Sequence, residues 1–136
     1  YVHTDGFNWP DNAERFTVFS RAVAQMAKGI PGTDWHPDVV HCHDWQTGLV
    51  PVYLGDVPER PATILSIHNM AFQGIYPPRV LPRLGLPQSK FTPEGYEFWG
   101  NISFLKAGLV EADAISTVSE TYAHELTEPA FGMGIA

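Results

Sequence analysis

The chain has 136 residues, enough for one domain and too few for two of ordinary size. Its hydrophobic content of 44% supplies a packed core and excludes a disordered polypeptide. A formal charge of −7, with only eight Lys and Arg, argues against a nucleic-acid-binding or anionic-membrane surface.

The opening stretch, 1–10, mixes aromatics with Gly and Asp and reads as loop. A helix follows. Asp11 is placed to cap it and Glu14 stands three residues later, as in a capping box. Phe16, Phe19, Val23, Met26 and Ala27 recur at helical spacing and predict its buried face, and Gly29 and Pro31 supply the stop. Asp38-Val-Val-His-Cys-His43 is a short β-rich run. Asp44 would then cap a helix from Trp45 to Leu54, although Pro51 predicts a kink or an irregular start. Ala62-Thr-Ile-Leu-Ser-Ile67 predicts a second strand, with His68 and Asn69 just past its end.

From Met70 to Gly100 the pattern dissolves into a long loop containing Pro77, Pro78, Pro82, Pro87 and Pro93, with one helical turn around Arg79 to Leu84. Phe104, Leu105, Gly108, Leu109 and Ala112 mark a further helix and Ala114 to Val118 a third strand. Ser119 is the N-cap of a last helix reaching about Thr127. Strands alternating with helices predict an α/β, Rossmann-like fold: a parallel sheet with helices on both faces and right-handed crossovers. No apolar run approaches the roughly 20 residues of a membrane span, and nothing at the start resembles a signal peptide. The lone Cys42 has no internal disulfide partner, which points to a reducing compartment. The first residue is Tyr1 and the last six, Phe131 to Ala136, are glycine-rich, so the chain is expected to be a piece of a longer protein.

In an open α/β sheet, ligands bind outside the carboxyl ends of the strands. Those ends gather His41-Cys42-His43-Asp44, His68-Asn69 and Thr117-Val118-Ser119. Residues two apart on a strand share a face, so His41 and His43 are candidate zinc ligands with Asp44 or His68. The plainer alternative has His41 hydrogen-bonded within the sheet and Asp44 capping a helix. Cys42 would face the other way, as a small buried thiol. No Gly-x-Ser-x-Gly elbow surrounds Ser119, and no Gly-x-Gly-x-x-Gly or Walker loop occurs. Trp9, Trp35, Trp45, Trp99, Phe72 and Tyr76 are either core or sugar-stacking platforms. Phe72 and Tyr76 are the better ligand candidates, because they follow His68 in the loop.

Several stretches together resemble the bacterial glycogen synthase and ADP-glucose starch synthase family. They are Pro10-Asp-Asn-Ala-Glu-Arg-Phe16, Pro37-Asp-Val-Val-His-Cys-His-Asp-Trp45 with Thr47-Gly-Leu49, and Ile67-His-Asn-Met-Ala-Phe-Gln-Gly74. Ile102-Ser-Phe-Leu-Lys-Ala-Gly-Leu109, Ala112-Asp113, Thr117-Val-Ser119, Thr121-Tyr122 and Phe131-Gly132 follow in order. The resemblance implies a two-domain glycosyltransferase of the GT-B type, of which residues 1–136 form the middle of the N-terminal, acceptor-side catalytic domain. Such enzymes transfer glucose from ADP-glucose to the non-reducing end of an α-1,4-glucan with retention. Carried over residue by residue, the resemblance makes His68 the histidine that contacts the donor glucose and Asp44 the aspartate near the transferring centre. Asn69, Gln73 and Gly74 belong to the same substrate-binding loop. It implies no cofactor beyond the donor ADP-glucose, no metal, a glucan acceptor, and a cytoplasmic location, or the plastid stroma in a plant. The Lys-Thr-Gly-Gly loop and the C-terminal half that grip the nucleotide would lie outside this chain, which is therefore expected to be inactive alone. A metal-dependent hydrolase built on His41 and His43, and a non-catalytic carbohydrate-binding module, are the alternatives.

Overall fold

The structure is a computed structural model that describes residues 2, 4 and 6–135. In chain order its first elements are α1 (Asn12–Ala27), β1 (Val39–His43), α2 (Leu49–Leu54) and β2 (Ala62–Ile67). There follow β3 (Ile75–Tyr76), α3 (Leu81–Leu84), β4 (Glu97–Phe98), β5 (Asn101–Ser103), α4 (Phe104–Glu111), β6 (Ala114–Thr117) and α5 (Glu120–Leu126).

The main sheet is parallel, in the order β1-β2-β6, with Cys42 opposite Leu65 and Leu65 opposite Ile115. Its strands are the β-branched runs read from the sequence, and alternation divides them into two faces. Cys42, Thr63, Leu65 and Ile67 are buried on one face. The crossovers through α2 and α4 both step the same way across the sheet, so right-handedness lays both helices on that face. Val39, His41, His43 and Ala62 point the other way and are exposed. Among the described residues the crossover helices thus cover one face of this sheet, and the other carries His41, His43 and Ser66 beside Val39, Ala62 and Ile64.

Backbone meets backbone between the start of α2 and α4. A Cβ on Gly108 would lie 2.8 Å from the Gly48 carbonyl oxygen and 2.9 Å from the Leu65 side chain, so glycine is required for this approach. Pro51 is the third residue of α2, where its missing N–H has no helical acceptor to lose. The irregular start expected there is a 3₁₀ turn, Trp45–Thr47.

The first helix departs from its predicted face. Ala13, Thr17, Ser20, Ala24 and Ala27 are buried, whereas Phe19 and Met26 are about half exposed. Small residues line the contact because α1 packs closely beside α2 and the Trp45–Thr47 turn, and the larger side chains flank it. The capping box is not formed. Asp11 makes no side-chain cap bond, and the Glu14 carboxylate instead accepts from Arg83 at 3.2 Å.

The proline-rich stretch is more ordered than its sequence suggests. β3 and β4 pair antiparallel with β5 in a second small sheet, and Leu81, Leu84, Leu86 and Tyr96 enter the core. At the opposite end of the main sheet Asp113 joins the strand starts. It accepts from Arg60 at 2.6 and 2.8 Å, and from the Thr63 backbone N–H at 2.7 Å. The Arg60 guanidinium, followed by the Thr63 N–H, holds the Asp113 carboxyl well below the usual carboxylate range. Among the described residues no helix is long and apolar enough to cross a membrane.

Candidate functional site

The carboxyl ends of the three parallel strands converge, but their polar groups divide the work. Thr117 Oγ1 donates to the Ile67 carbonyl at 2.7 Å, and Ser119 caps α5 by accepting the Tyr122 N–H at 3.1 Å. Both hydroxyls are spent on the fold. The ends of β1 and β2 carry the remaining chemistry.

Asp44 does not cap the helix that follows it. Its backbone is held at φ 55° and ψ −170°, a region that L-residues occupy at a cost of order 1–3 kcal/mol. That twist turns the carboxylate across to the neighbouring strand end, where Oδ1 accepts the His68 backbone N–H at 2.7 Å. Among the described residues no side chain caps the 3₁₀ turn or α2, and Thr47 ties the turn back to the end of β1. Its Oγ1 donates to the His43 carbonyl at 2.8 Å and accepts from the His43 N–H at 2.6 Å.

His68 stands exposed just past β2, on the same face as His41 and His43. Its Nε2 lies 3.1 Å from His43 Nδ1. His43 in turn stacks on His41, with ring centroids 4.2 Å apart, and His41 Nε2 is 2.6 Å from Ser66 Oγ. The ring nitrogens expected to chelate zinc thus have hydrogen-bonding partners. Among the described residues no three His, Cys, Asp or Glu side chains gather as a metal site. Burial first, and then the charges of His41 and His68, push the His43 pKa down. Cys42 faces the helices, where burial pushes its thiol up to about 11 and disfavours the thiolate.

Two hollows open beside these groups and share Trp45 and Phe72 as lining. One, of about 210 Å³, is bounded also by Asp44, Gln46 and Asn69. The other, of about 430 Å³, includes Gln73, Gly74 and Tyr76. The five site residues read from the sequence therefore fall into two groups. Asp44 and Asn69 line the smaller hollow, with His68 tied to Asp44, and Gln73 and Gly74 line the larger. Asn69 Oδ1 closes its own turn by accepting the Ala71 N–H at 3.0 Å. Gln73 is buried. Its Nε2 reaches the Met133 carbonyl at 3.4 Å, and its Oε1 finds no partner among the described residues.

Gly74 is fixed by packing. At φ +62°, a Cβ there would lie 2.4 Å from a Trp45 ring carbon, and its carbonyl accepts the Phe104 N–H at 3.1 Å. Trp45 is buried edge-on against Phe16, with Gly74 seated on its ring. Phe72, by contrast, is exposed at the mouth of both hollows. Sequence reasoning treated His43 only as a metal ligand and missed its contact with His68. The spacing of a shared strand face was the signal available for it.

The comparisons with known proteins agree with this architecture. A family model described as "Starch synthase catalytic domain" matches residues 1–136. The chain is 48% identical over 135 residues to glycogen synthase 1 of Methylococcus capsulatus, covering 99% of this chain and 27% of that protein. It is 52% identical over 137 residues to the glycogen synthase of Paracoccus denitrificans, covering 99% and 29%. Among solved structures, the catalytic domain of starch synthase IV from Arabidopsis thaliana, bound to ADP and acarbose, superposes with a TM-score of 0.82 at 26% identity. That match covers 95% of this chain and 27% of the other. The chain thus spans between a quarter and a third of the length of these relatives.

Proposed function

Because the chain belongs to the starch synthase catalytic domain family, we propose that the protein containing it transfers glucose from ADP-glucose to the non-reducing end of an α-1,4-glucan, with retention of configuration. Residues 1–136 supply the middle of the N-terminal, acceptor-side catalytic domain. The observation that carries the reading is the pairing of Asp44 with His68 beside an aromatic-mouthed hollow, in a chain about half identical to glycogen synthases along nearly its whole length. The binding of ADP and acarbose by the Arabidopsis domain supports a nucleoside diphosphate and a saccharide as the ligand classes.

Each group has a task in such a transfer. Retaining glucosyl transfer passes through an oxocarbenium-like state, and the Asp44 carboxylate supplies negative charge beside it. The His68 imidazole hydrogen-bonds a glucosyl hydroxyl and holds the ring in its reactive orientation. Asn69, Gln73 and Gly74 shape the loop against which the sugar lies, and the exposed face of Phe72 gives it an apolar wall. The diphosphate is left to basic groups elsewhere in the protein, because this chain carries only eight Lys and Arg. No metal or further cofactor enters the scheme.

The test is direct. The full-length protein, incubated with glucose-labelled ADP-glucose and glycogen, should incorporate label into polymer that α-1,4-specific hydrolysis releases. Release of free glucose without polymer labelling would point instead to a hydrolase, and the proposal would fail.

A further inference from the structure

The His68 ring is held by a neighbour that the proposed transfer does not use. His43 Nδ1 lies 3.1 Å from His68 Nε2, and the two ring centroids are 5.3 Å apart. His43 is the last residue of β1 and pairs in register with Ser66, two residues before His68, so both imidazoles rise from the sheet face opposite the crossover helices. We propose that His43 is a positioning residue: its Nδ1 fixes the tautomer and the orientation of the His68 imidazole, leaving His68 Nδ1 as the nitrogen offered to a glucosyl hydroxyl. The inference rests on the assignment of His68 to the glucosyl site.

An N···N hydrogen bond needs one nitrogen with a proton and one without. If His43 Nδ1–H donates, His68 keeps its own proton on Nδ1 and becomes a donor toward a sugar oxygen. If His68 Nε2–H donates, its Nδ1 is an acceptor of a sugar hydroxyl. Each arrangement couples the His68 tautomer to the proton on His43 Nδ1, so the braced His43 ring decides which one His68 takes. The hold is double, because the adjacent Asp44 carboxylate takes the His68 backbone N–H at 2.7 Å. Consecutive residues of one strand end therefore fix the ring and the backbone of the same histidine.

His43 is itself braced. Its ring stacks on His41, whose Nε2 meets Ser66 Oγ at 2.6 Å, and Ser66 Oγ meets Ser116 Oγ at 2.6 Å. Its backbone N–H is taken by Thr47 Oγ1 at 2.6 Å. The charged and titratable groups facing it are His41, His68 and Asp44. Burial, and then the two imidazoles, disfavour a proton on it, and Asp44 favours one. The hydrogen bond survives while the pair carries one added proton. It breaks when both rings are protonated, since two donors then face each other. Loss of positioning should accordingly form part of the acid limb of the pH profile.

The experiment compares full-length wild type, His43→Ala and His43→Asn, whose amide takes the place of Nδ1. Ring ¹⁵N shifts of His68 and the pH dependence of kcat/KM for ADP-glucose are both read. Wild type should show His68 in one tautomer. His43→Ala should mix the tautomers, lower kcat/KM about tenfold or more, and shift the acid limb, with melting unchanged. His43→Asn should restore one tautomer and most of the rate. If His43→Ala does not fold, His43→Gln, whose amide is displaced from the Nδ1 position, takes its role. Unchanged His68 ring shifts in His43→Ala would overturn the proposal. So would equal loss of rate in the Ala and Asn variants with an unmoved pH profile. A wild type that moves no glucose from ADP-glucose to glycogen defeats the functional reading on that arm alone, and the ring shifts still decide the pairing.

Discussion

Replacing Asp44 separates what the fold needs from what the chemistry needs, because its backbone and its carboxylate make opposite contributions to stability. At φ 55° and ψ −170° the residue occupies a region open essentially to glycine alone, at a cost of about 1–3 kcal/mol. Its carboxylate returns about 1.5–3 kcal/mol through the charge-assisted bond to the His68 N–H, toward the lower end because the residue is only half-buried. Asp44→Gly releases the strain and loses the bond, so its unfolding free energy should lie within about 1 kcal/mol of wild type. Asp44→Ala keeps the strain and loses the bond, and should be less stable by about 1.5–3 kcal/mol. Asp44→Asn keeps an acceptor oxygen at much the same place and should lose about 0.5–1 kcal/mol. In transfer of glucose to glycogen all three should fall together, by two to three orders of magnitude, because none supplies negative charge to the developing cation. Urea unfolding and initial rates on the full-length protein give the two columns. An Asn variant within a few-fold of wild-type rate would show that Asp44 acts only by holding His68. A Gly variant less stable than the Ala variant would refute the strain argument.

Three further outcomes follow from the packing and the charges. Gly74→Ala should cost about 2–4 kcal/mol, since its Cβ would press on the Trp45 ring at a left-handed backbone; an unfolding midpoint equal to wild type would contradict this. Asp113→Asn should destabilise the protein near neutral pH. Because the folded carboxyl titrates below its unfolded value of about 4, the latch is fully effective above about pH 5 and weakens as pH falls below 4, so the gap between wild type and variant should narrow in acid. The isolated 136-residue chain should not incorporate glucose from ADP-glucose and should bind a hydrophobic dye or self-associate. An apolar hollow of about 590 Å³ beside β6 and an unpaired edge at β1 motivate this, and a clean monomer with a sharp two-state melt would contradict it.

The three parallel strands were legible because their β-branched runs start just after Pro or Asp, signals that need no knowledge of the rest of the molecule. Ser119 was legible as a cap for the same reason, its acceptor and donor being three residues apart. The face of α1 was misread because ranking by hydrophobicity selects Phe19 and Met26. Close approach to α2 instead selects Thr17, Ser20 and Ala24, and size decides over apolarity where helices touch. β3, β4 and β5 have two or three residues each, too few to show an alternation, and only their mutual pairing defines them. At the site, the strand-end position placed Asp44 and His68 near each other. The sequence-local expectation that Asp44 caps its own helix gave way to a partner 24 residues away, a competition that no window of local sequence displays. A separation of 25 residues likewise hid the contact between His43 and His68.

The sharpest single measurement is His68→Ala in the full-length protein, with kcat for glucose transfer and the melting temperature taken on the same preparation. His68 is exposed and its ring meets that of His43, which is exposed too, so melting should stay within a few degrees. If the imidazole holds the glucosyl ring through the transition state, kcat should fall by two or more orders of magnitude, about 3 kcal/mol of lost stabilisation. A variant that melts much earlier, while its folded fraction turns over at the wild-type rate, would make His68 a loop anchor and remove it from the active site.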